Sequence, residues 1–339
     1  MGFICRPLHN PAERISLMHR WRARIEDLHP QLPRVRLQAS ELQDIQTAIA
    51  RQQCGAWETV TQTDETPQSM LLAIPTSLDP NSPKAQFFPQ RYAMLQLSSL
   101  KPAPRRELFA LYSKAAGFLQ QKGIGVHRCS VYAAQQELAE TWSDLGFARY
   151  HCHAVRSMED LAPFNLPPRV RLRPAGISDR PALEQLFRVL AAQHHTPAMA
   201  ITPPPAAGQI YAGLEQELAA PRVAHFIAEL DGDIIGYIDG YTTVHGEGYL
   251  APLTGEPFLY IRNCSVAPAR QGMGVGTALL HQLLEWGRCS IDRPRRAHLD
   301  YRTANIPGSS FWCGHGFNPL LYGLLRVSQQ PKKRGLFGW

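Results

Sequence analysis

The segment from Leu259 to Leu284, LYIRNCSVAPARQGMGVGTALLHQLL, constrains the fold of this chain more than any other. An extended apolar run feeds a turn with glycines at 272, 274 and 276, and the turn opens a helix. In that helix Leu279, Leu280, Leu283 and Leu284 recur at the spacing of one buried face. A strand passing through a glycine turn into a helix makes an anion cradle. Glycine N–H groups approach an anion closely because no Cβ intervenes, and the helix N-terminus adds unpaired donors and the positive end of its dipole. The GxGxG spacing lacks the lysine and Ser/Thr of a P-loop and the six-residue rhythm of the dinucleotide fingerprint, so the expected ligand is a different pyrophosphate.

The surrounding residues identify which one. Gln271, Gly274 and Gly276 fill the three specified positions of Q/R-x-x-G-x-G/A, and the stretch resembles the acetyl-CoA motif of the GCN5-related N-acetyltransferases. A second element follows in order, Asn305 to Phe317 (NIPGSSFWCGHGF), where the family reads N-x-x-A-x-x-hydrophobic-Y-x-x-x-G-F. Asn305, Phe311, Gly316 and Phe317 fit, and Trp312 stands at the tyrosine. The resemblance implies acetyl-CoA or another acyl-CoA as cosubstrate, a small-molecule or peptide amine as acceptor, and direct attack in a ternary complex. It implies main-chain contacts to the pantetheine and acyl group from Cys264, Ser265 and Val266. The pyrophosphate would lie on Gln271, Gly272, Met273, Gly274, Val275 and Gly276, with Asn305 and Trp312 in the same site.

The chain also repeats itself. Leu32 to Leu37 (LPRVRL) recurs as Pro167 to Leu172 (PPRVRL), and Trp142, Gly146 and Phe147 recur at one common offset as Trp312, Gly316 and Phe317. At 339 residues the chain has room for about two domains. The expected class is therefore α/β (α+β), with two tandem GNAT-like domains, each a mixed, mostly antiparallel sheet flanked by helices. The expected boundaries are an N-terminal extension 1–33, a degenerate copy 34–158, a linker 159–168 marked by Pro167 and Pro168, an acyl-CoA domain 169–330 and a basic tail 331–339.

The first copy repeats the motif strand as Tyr92 to Leu100 and the motif helix with Leu108, Leu111, Tyr112, Ala115, Ala116 and Leu119 on one face. Its turn, Lys101 to Arg106 (KPAPRR), has no glycine and two prolines without N–H groups, so a backbone cradle is not expected there. In the second copy, Ser178 is a candidate N-cap for a helix from Arg180, and Thr196 to Gly208 reads as a proline-stiffened loop. Val223 to Leu230 and Ile234 to Tyr241 read as a hairpin.

Composition, 44% hydrophobic and 19% charged, is that of a soluble globular protein, and no apolar run reaches the roughly 20 residues of a membrane span. No membrane partner is expected. The formal charge of +7 is spread along the chain, which suits a polyanionic cosubstrate and gives little indication of nucleic acid. Seven scattered cysteines without a CxxC pair indicate neither a disulfide framework nor a zinc knuckle, and point to a reducing cytoplasm. Whether the copies pack within one chain or across a homodimer is left open.

Acyl transfer needs a neutral amine and a donor for the developing oxyanion, and the leaving thiolate can require a proton. Trp312 supplies no acid near neutral pH, and its repeat Trp142 marks it as a core residue. Tyr301, Ser310 or water are then the acid candidates, and Asp239, Glu229, His245 or a water chain the base candidates. Cys264 reads as a small apolar strand residue, and neither His151 with His153 nor His194 with His195 has a third ligand at metal spacing, so no metal is expected. A non-catalytic acyl-CoA-binding sensor is the alternative. Dinucleotide binding would need an acidic residue such as Asp292 at a strand end.

Overall fold

The computed structural model describes residues 2–28, 39–63, 65–79, 89–99, 105–159, 164–194, 196, 213–244 and 256–328. The chain forms two compact units: Met1–Ala85, Pro89–Tyr150 and Leu321–Trp339 in the first, and Gln86–Phe88 with His151–Leu320 in the second.

The first unit contains β1 (Phe3–Pro7), α1 (Pro11–Leu28), α2 (Ala39–Ala50), β2 (Gly55–Thr61), β3 (Pro67–Ser77), β4 (Arg91–Ser99), α3 (Arg105–Gln121), β5 (Val126–Tyr132) and α4 (Gln136–Asp144). Its sixth strand is β12 (Asn318–Val327), from the far end of the chain. The order is β1-β2-β3-β4-β5-β12, antiparallel except for β4 beside β5. Strand periodicity sorts the two faces. On β3, Met70 and Leu72 meet Ile15 and Met18 of α1, while Leu71 and Ala73 join the larger core with Leu108, Leu111 and Leu119 of α3 and with Trp142 and Phe147.

The second unit contains β6 (Ala148–Ser157), β7 (Val170–Pro174), α5 (Arg180–His194), α6 (Leu214–Ala219), β8 (Val223–Leu230), β9 (Asp233–Thr243), β10 (Phe258–Val266), α7 (Val275–Cys289), β11 (Arg296–Arg302) and α8 (Ile306–Gly314). The strand order is β6-β11-β10-β9-β8-β7, again antiparallel but for one parallel pair, β10 with β11. On one face Leu183, Leu186 and Phe187 of α5 and Leu214 of α6 enclose Ile227 and Tyr237. On the other, α7 lies so close to β9 that a Cβ on Gly240 would stand 3.2 Å from Leu283 and one on Gly236 3.1 Å from Leu279. Those β9 glycines let the amphipathic motif helix pack flat.

The elements of the two units correspond one for one, and the structure moves the start of the repeat. The place of β7 is taken in the first unit by β1, paired with β2 as β7 is with β8. The expected extension 1–33 thus carries the first strand and first helix, and Arg34 to Leu37, expected as that strand, lies outside the described residues. The ends of the copies are exchanged. β6, which closes the first copy in sequence, pairs with β11, and β12, which closes the second, pairs with β5. The expected cuts at 158 and 330 therefore do not follow the compact units, which take up β6 from His151 and release β12 from Leu321. The hairpin β8–β9 and the strand β10 stand where the sequence places them. Residues 101–104 of the proline turn, the loop 197–208, residues 245–255 with His245, and the tail 331–339 lie outside the described residues.

Candidate active site

Two features of the second unit create a cleft. β10 and β11 pair in parallel only from Phe258↔Arg296 to Ile261↔Leu299, although β10 runs on to Val266 and β11 to Arg302. Beyond Ile261 the strands part. A bulge against β9 between Ile261 and Asn263 turns β10 at Arg262, which leaves alternate backbone groups of the strand's far half facing an open wedge.

The wedge leads to the glycine turn. The turn begins at Pro268–Arg270, a single 3₁₀ turn, and Gln271 Nε2 donates to the Val266 carbonyl at 3.2 Å, tying the loop back to the strand. Gly272 and Gly274 then adopt φ of +79° and +81°. A Cβ at Gly272 would meet nothing within 4 Å, so its requirement is conformational. Gly274 is the N-cap of α7 and carries no side-chain cap, so the first N–H groups of the helix are left to an external acceptor. Gly276 has a different reason. A Cβ there would press on the Phe311 ring at 3.3 Å, so this glycine seats α7 against α8. Met273 is exposed and Val275 buried.

On the face opposite α7 a polar network crosses β8, β9, β10 and α6. Arg262 donates from Nε to Asp239 Oδ2 at 2.5 Å and from Nη1 and Nη2 to Glu217 at 2.8 and 2.7 Å. Glu217 also accepts from His225 at 3.0 Å, and Asp239 from Asn263 at 2.9 Å. Burial works against the Arg262 cation, but the Asp239 and Glu217 carboxylates outweigh it and hold the guanidinium above its ordinary value. Glu217 is in turn lowered to about 2 by the Arg262 and His225 hydrogen bonds, against the opposing effect of burial.

Beside this network lies a second cluster. Tyr260 donates to Asp300 Oδ1, and His151 Nε2 lies 2.6 Å from Asp300 Oδ2. His153 Nε2 and His298 Nδ1 are 2.9 Å apart, with rings stacked at 5.2 Å. Burial lowers both imidazoles and keeps them neutral. Burial opposes the Asp300 charge, yet His151 and Tyr260 hold the carboxyl below its usual range. Among the described residues no group of three or more His, Cys, Asp and Glu is placed to hold a metal ion.

The expected site residues fall into distinct places. Cys264, Val266 and the glycine turn line the wedge, while Ser265 points away and donates to the Leu186 carbonyl at 3.1 Å. Burial, and then Asp239, push the Cys264 thiol up to about 12, so it is no thiolate at neutral pH. Asn305 caps α8, accepting from the Gly308 N–H at 3.1 Å. Trp312 is half-buried, edge-on to Phe311 and Phe317 at 4.8 and 5.6 Å, whereas Trp142 is a core residue of the first unit. Tyr301 is buried with its hydroxyl 4.0 Å from Cys313 Sγ, and burial holds it well above its ordinary value. Ser310 is exposed on α8. Asp239 is fully buried behind Arg262 and Asn263. Glu229 is bound by Arg173 at 2.6 Å. Asp292 accepts from Arg222 at 2.8 Å and Thr242 at 2.5 Å, which commits it to a turn rather than to a ribose. Ser178 does not cap α5. It lies inside a single 3₁₀ turn, Ile177–Asp179, that precedes α5, and the Asp179 carboxylate closes that turn by accepting from the Gly176 N–H at 2.8 Å. Sequence reasoning missed Glu217, Tyr260 and Asp300; the alternation of His151 with His153 on β6 was their one visible trace.

Residues 189–317 match the model of the Acetyltransferase (GNAT) family. No curated protein matches the chain. Among solved structures, a GCN5-related N-acetyltransferase from Sphaerobacter thermophilus is similar at 16% identity and a TM-score of 0.57, over 97% of this chain and 96% of that one. A tandem GNAT protein from the clavulanic acid biosynthesis pathway, solved without AcCoA, is similar at 14% identity and a TM-score of 0.50, over 98% and 100%. The chain accordingly has the fold of these tandem proteins, and its residues 189–317 carry the match to the GNAT acetyltransferase family model.

Proposed function

We propose that the second unit is an N-acyltransferase that moves an acetyl or other acyl group from acyl-CoA to an amine, and that the first unit has no acyl-CoA site. The observation that carries this reading is the continuity of the wedge with an uncapped, glycine-opened helix. β10 leaves β11 at Ile261, and the same strand ends at a turn whose Gly272 and Gly274 take φ near +80° ahead of free helical N–H groups. The donor set fits a pyrophosphate with an extended amide-bearing arm: N–H groups of 272–276 for the anion and alternate backbone groups of Cys264 and Val266 for the arm. When bound, acyl-CoA supplies the acyl group as an activated thioester. The chain supplies position: the β10 backbone orients the acyl carbonyl, and Arg262, fixed by Asp239 and Glu217, gives the acceptor side a rigid floor.

The first unit also parts its parallel strands, after Leu95↔Cys129. The first turn of its helix carries a carboxylate, however. The Glu107 carboxylate sits in the first turn of α3, accepting from Thr59 and Ser69 at 3.0 and 3.3 Å, where a pyrophosphate would meet like charge.

Thermal-shift measurements with acetyl-CoA, longer acyl-CoAs and NAD test the ligand class, since a hundredfold excess over Kd stabilises by about 2.7 kcal/mol. Thiol release with a panel of amines tests transfer. Stabilisation by acyl-CoA without thiol release would favour the sensor reading, and no shift with any CoA would end the proposal.

A further inference from the structure

Tyr260, Asp300 and His151 lie at the closed end of the wedge. Tyr260 sits one residue before the last β10–β11 pair, and its ring packs on Tyr241 at 5.4 Å, on the face that carries Asp239 and Arg262. From Val266 at the cradle back to Tyr260 is ~20 Å at ~3.3 Å per residue, a span suited to an extended pantetheine arm. The carboxylates beside it are engaged. Asp239 is fully buried under Arg262 and Asn263, and Glu217 is held by Arg262 and His225. Asp300 differs in its partners: its two oxygens are oriented by a phenol and an imidazole, Tyr260 and His151, rather than by a guanidinium, while its side chain is as exposed, at 34%, as that of Glu217.

Resting on the acyl-transfer reading above, we propose that Tyr260, Asp300 and His151 form the chain that removes the proton from the acceptor nitrogen. As the N–C bond forms, the carbonyl π pair moves to oxygen, and its return breaks the C–S bond and releases the CoA thiolate; the nitrogen meanwhile becomes cationic and acidic, so a carboxylate is a sufficient base. The N–H bond breaks as its proton passes to Tyr260 Oη, the phenol's own proton passes to Asp300 Oδ1, and the carboxylate becomes a neutral acid. One positive and one negative charge are cancelled, and no oxidant or further reactant enters. Tyr260 is the catalytic residue, since it meets the amine. Asp300 and His151 act through it: His151 Nε2–H fixes one carboxylate oxygen so that the other faces the phenol. His151 lies on β6, so the first half of the sequence contributes to the site of the second.

The test uses the full-length chain with acetyl-CoA as donor, n-butylamine and water as alternative acceptors, and calorimetry for acetyl-CoA affinity. Tyr260→Phe and Asp300→Asn should each lower kcat about a hundredfold and leave acetyl-CoA Kd within a factor of about two. The double variant should lose no more than the worse single one, as residues acting in one chain do. Asp300→Ala should regain turnover with added formate, which a merely structural carboxylate would not allow. Wild-type kcat in these variants, additive losses, absence of formate rescue, or a parallel loss of acetyl-CoA affinity would overturn the assignment while leaving acyl transfer standing. Failure of the wild-type chain to bind acetyl-CoA, or to release thiol with either acceptor, would overturn the functional reading itself.

Discussion

Cutting the chain at the sequence repeat should destroy the second unit, whereas cutting it at the structural boundary should not. A fragment of residues 160–339 contains the whole family-matched segment but lacks β6. Seven residue pairs, from Arg296↔Ser157 to Arg302↔His151, join β6 to β11. At about 1 kcal/mol net per backbone hydrogen bond, with roughly one bond per pair, their loss costs ~7 kcal/mol. Met158, fully buried beneath α7 where its methyl meets the Gly287 position, adds about 2 kcal/mol of lost apolar burial. The total approaches the entire 5–15 kcal/mol by which ordinary domains are stable. The same fragment keeps β12, whose partner β5 has been removed. Residues 151–320 retain all of β7–β11 and the β6 segment that pairs with β11. Urea unfolding followed by far-ultraviolet circular dichroism should therefore show a cooperative transition for 151–320 and none for 160–339. Equal midpoints for the two fragments would show that the β6–β11 ladder is dispensable and refute the reasoning.

Gly274→Asp should weaken acetyl-CoA binding at least tenfold in a folded protein, because it places a carboxylate at the cradle in a left-handed conformation; unchanged calorimetric affinity would remove Gly274 from the site. Calorimetry should give one acetyl-CoA per chain, and Arg105→Ala, which breaks only an exposed pair with Asp144, should leave that number alone; two equivalent sites would restore the first unit as a binder. Glu217 is depressed from 4.5 to about 2 in the folded state, so its contribution to stability is complete above pH 4.5 and is lost as pH falls towards 2. Melting temperatures of Glu217→Gln should show a flatter acid limb than wild type, and parallel limbs would refute the linkage. His153 is lowered from 6.5 to about 4 by burial, so the unfolded chain binds more protons between those values and stability falls as pH drops through that window; His153→Phe, if folded, should lose this slope.

Local chemistry was legible in the sequence where it depends on neighbours in the chain. The β10 strand, the αL glycines and the apolar face of α7 lie within one continuous stretch, and each is set by residues a few positions apart. The β8–β9 hairpin is legible for the same reason, with Asp231 and Gly232 at positive φ in its turn. The polar network was not, because its members are far apart in sequence. Arg262 reaches Glu217 and Asp239 from different elements, and Asp300 meets His151 across the exchanged strand. A lone carboxylate on a strand reads as a surface residue until its neighbour is known. Repeat matching erred at the N-terminus because Arg34 to Leu37 copies the composition of β7, while β1 copies its pairing with a different sequence, FICRP against VRLRP.

The exchange of β6 and β12 changes what duplication means for this chain. Two equivalent strands swapped between equivalent sheets leave each unit with six strands and a filled core, so the exchange costs neither unit its closing strand. Leu324 from the end of the chain is buried in the core of the first unit, and Cys152 and Ala154 from its middle are buried on β6 in the second. The side chains that accompany the strands are exchanged too. His151 and His153 reach Asp300 and His298, whereas Arg326 donates to the Leu145 carbonyl at 2.8 Å in the first unit. On the reading proposed above, a first unit without an acyl-CoA site would still lend the second its closing strand. Substitutions between His151 and Ser157 should then register in the second unit, although the repeat assigns those residues to the first.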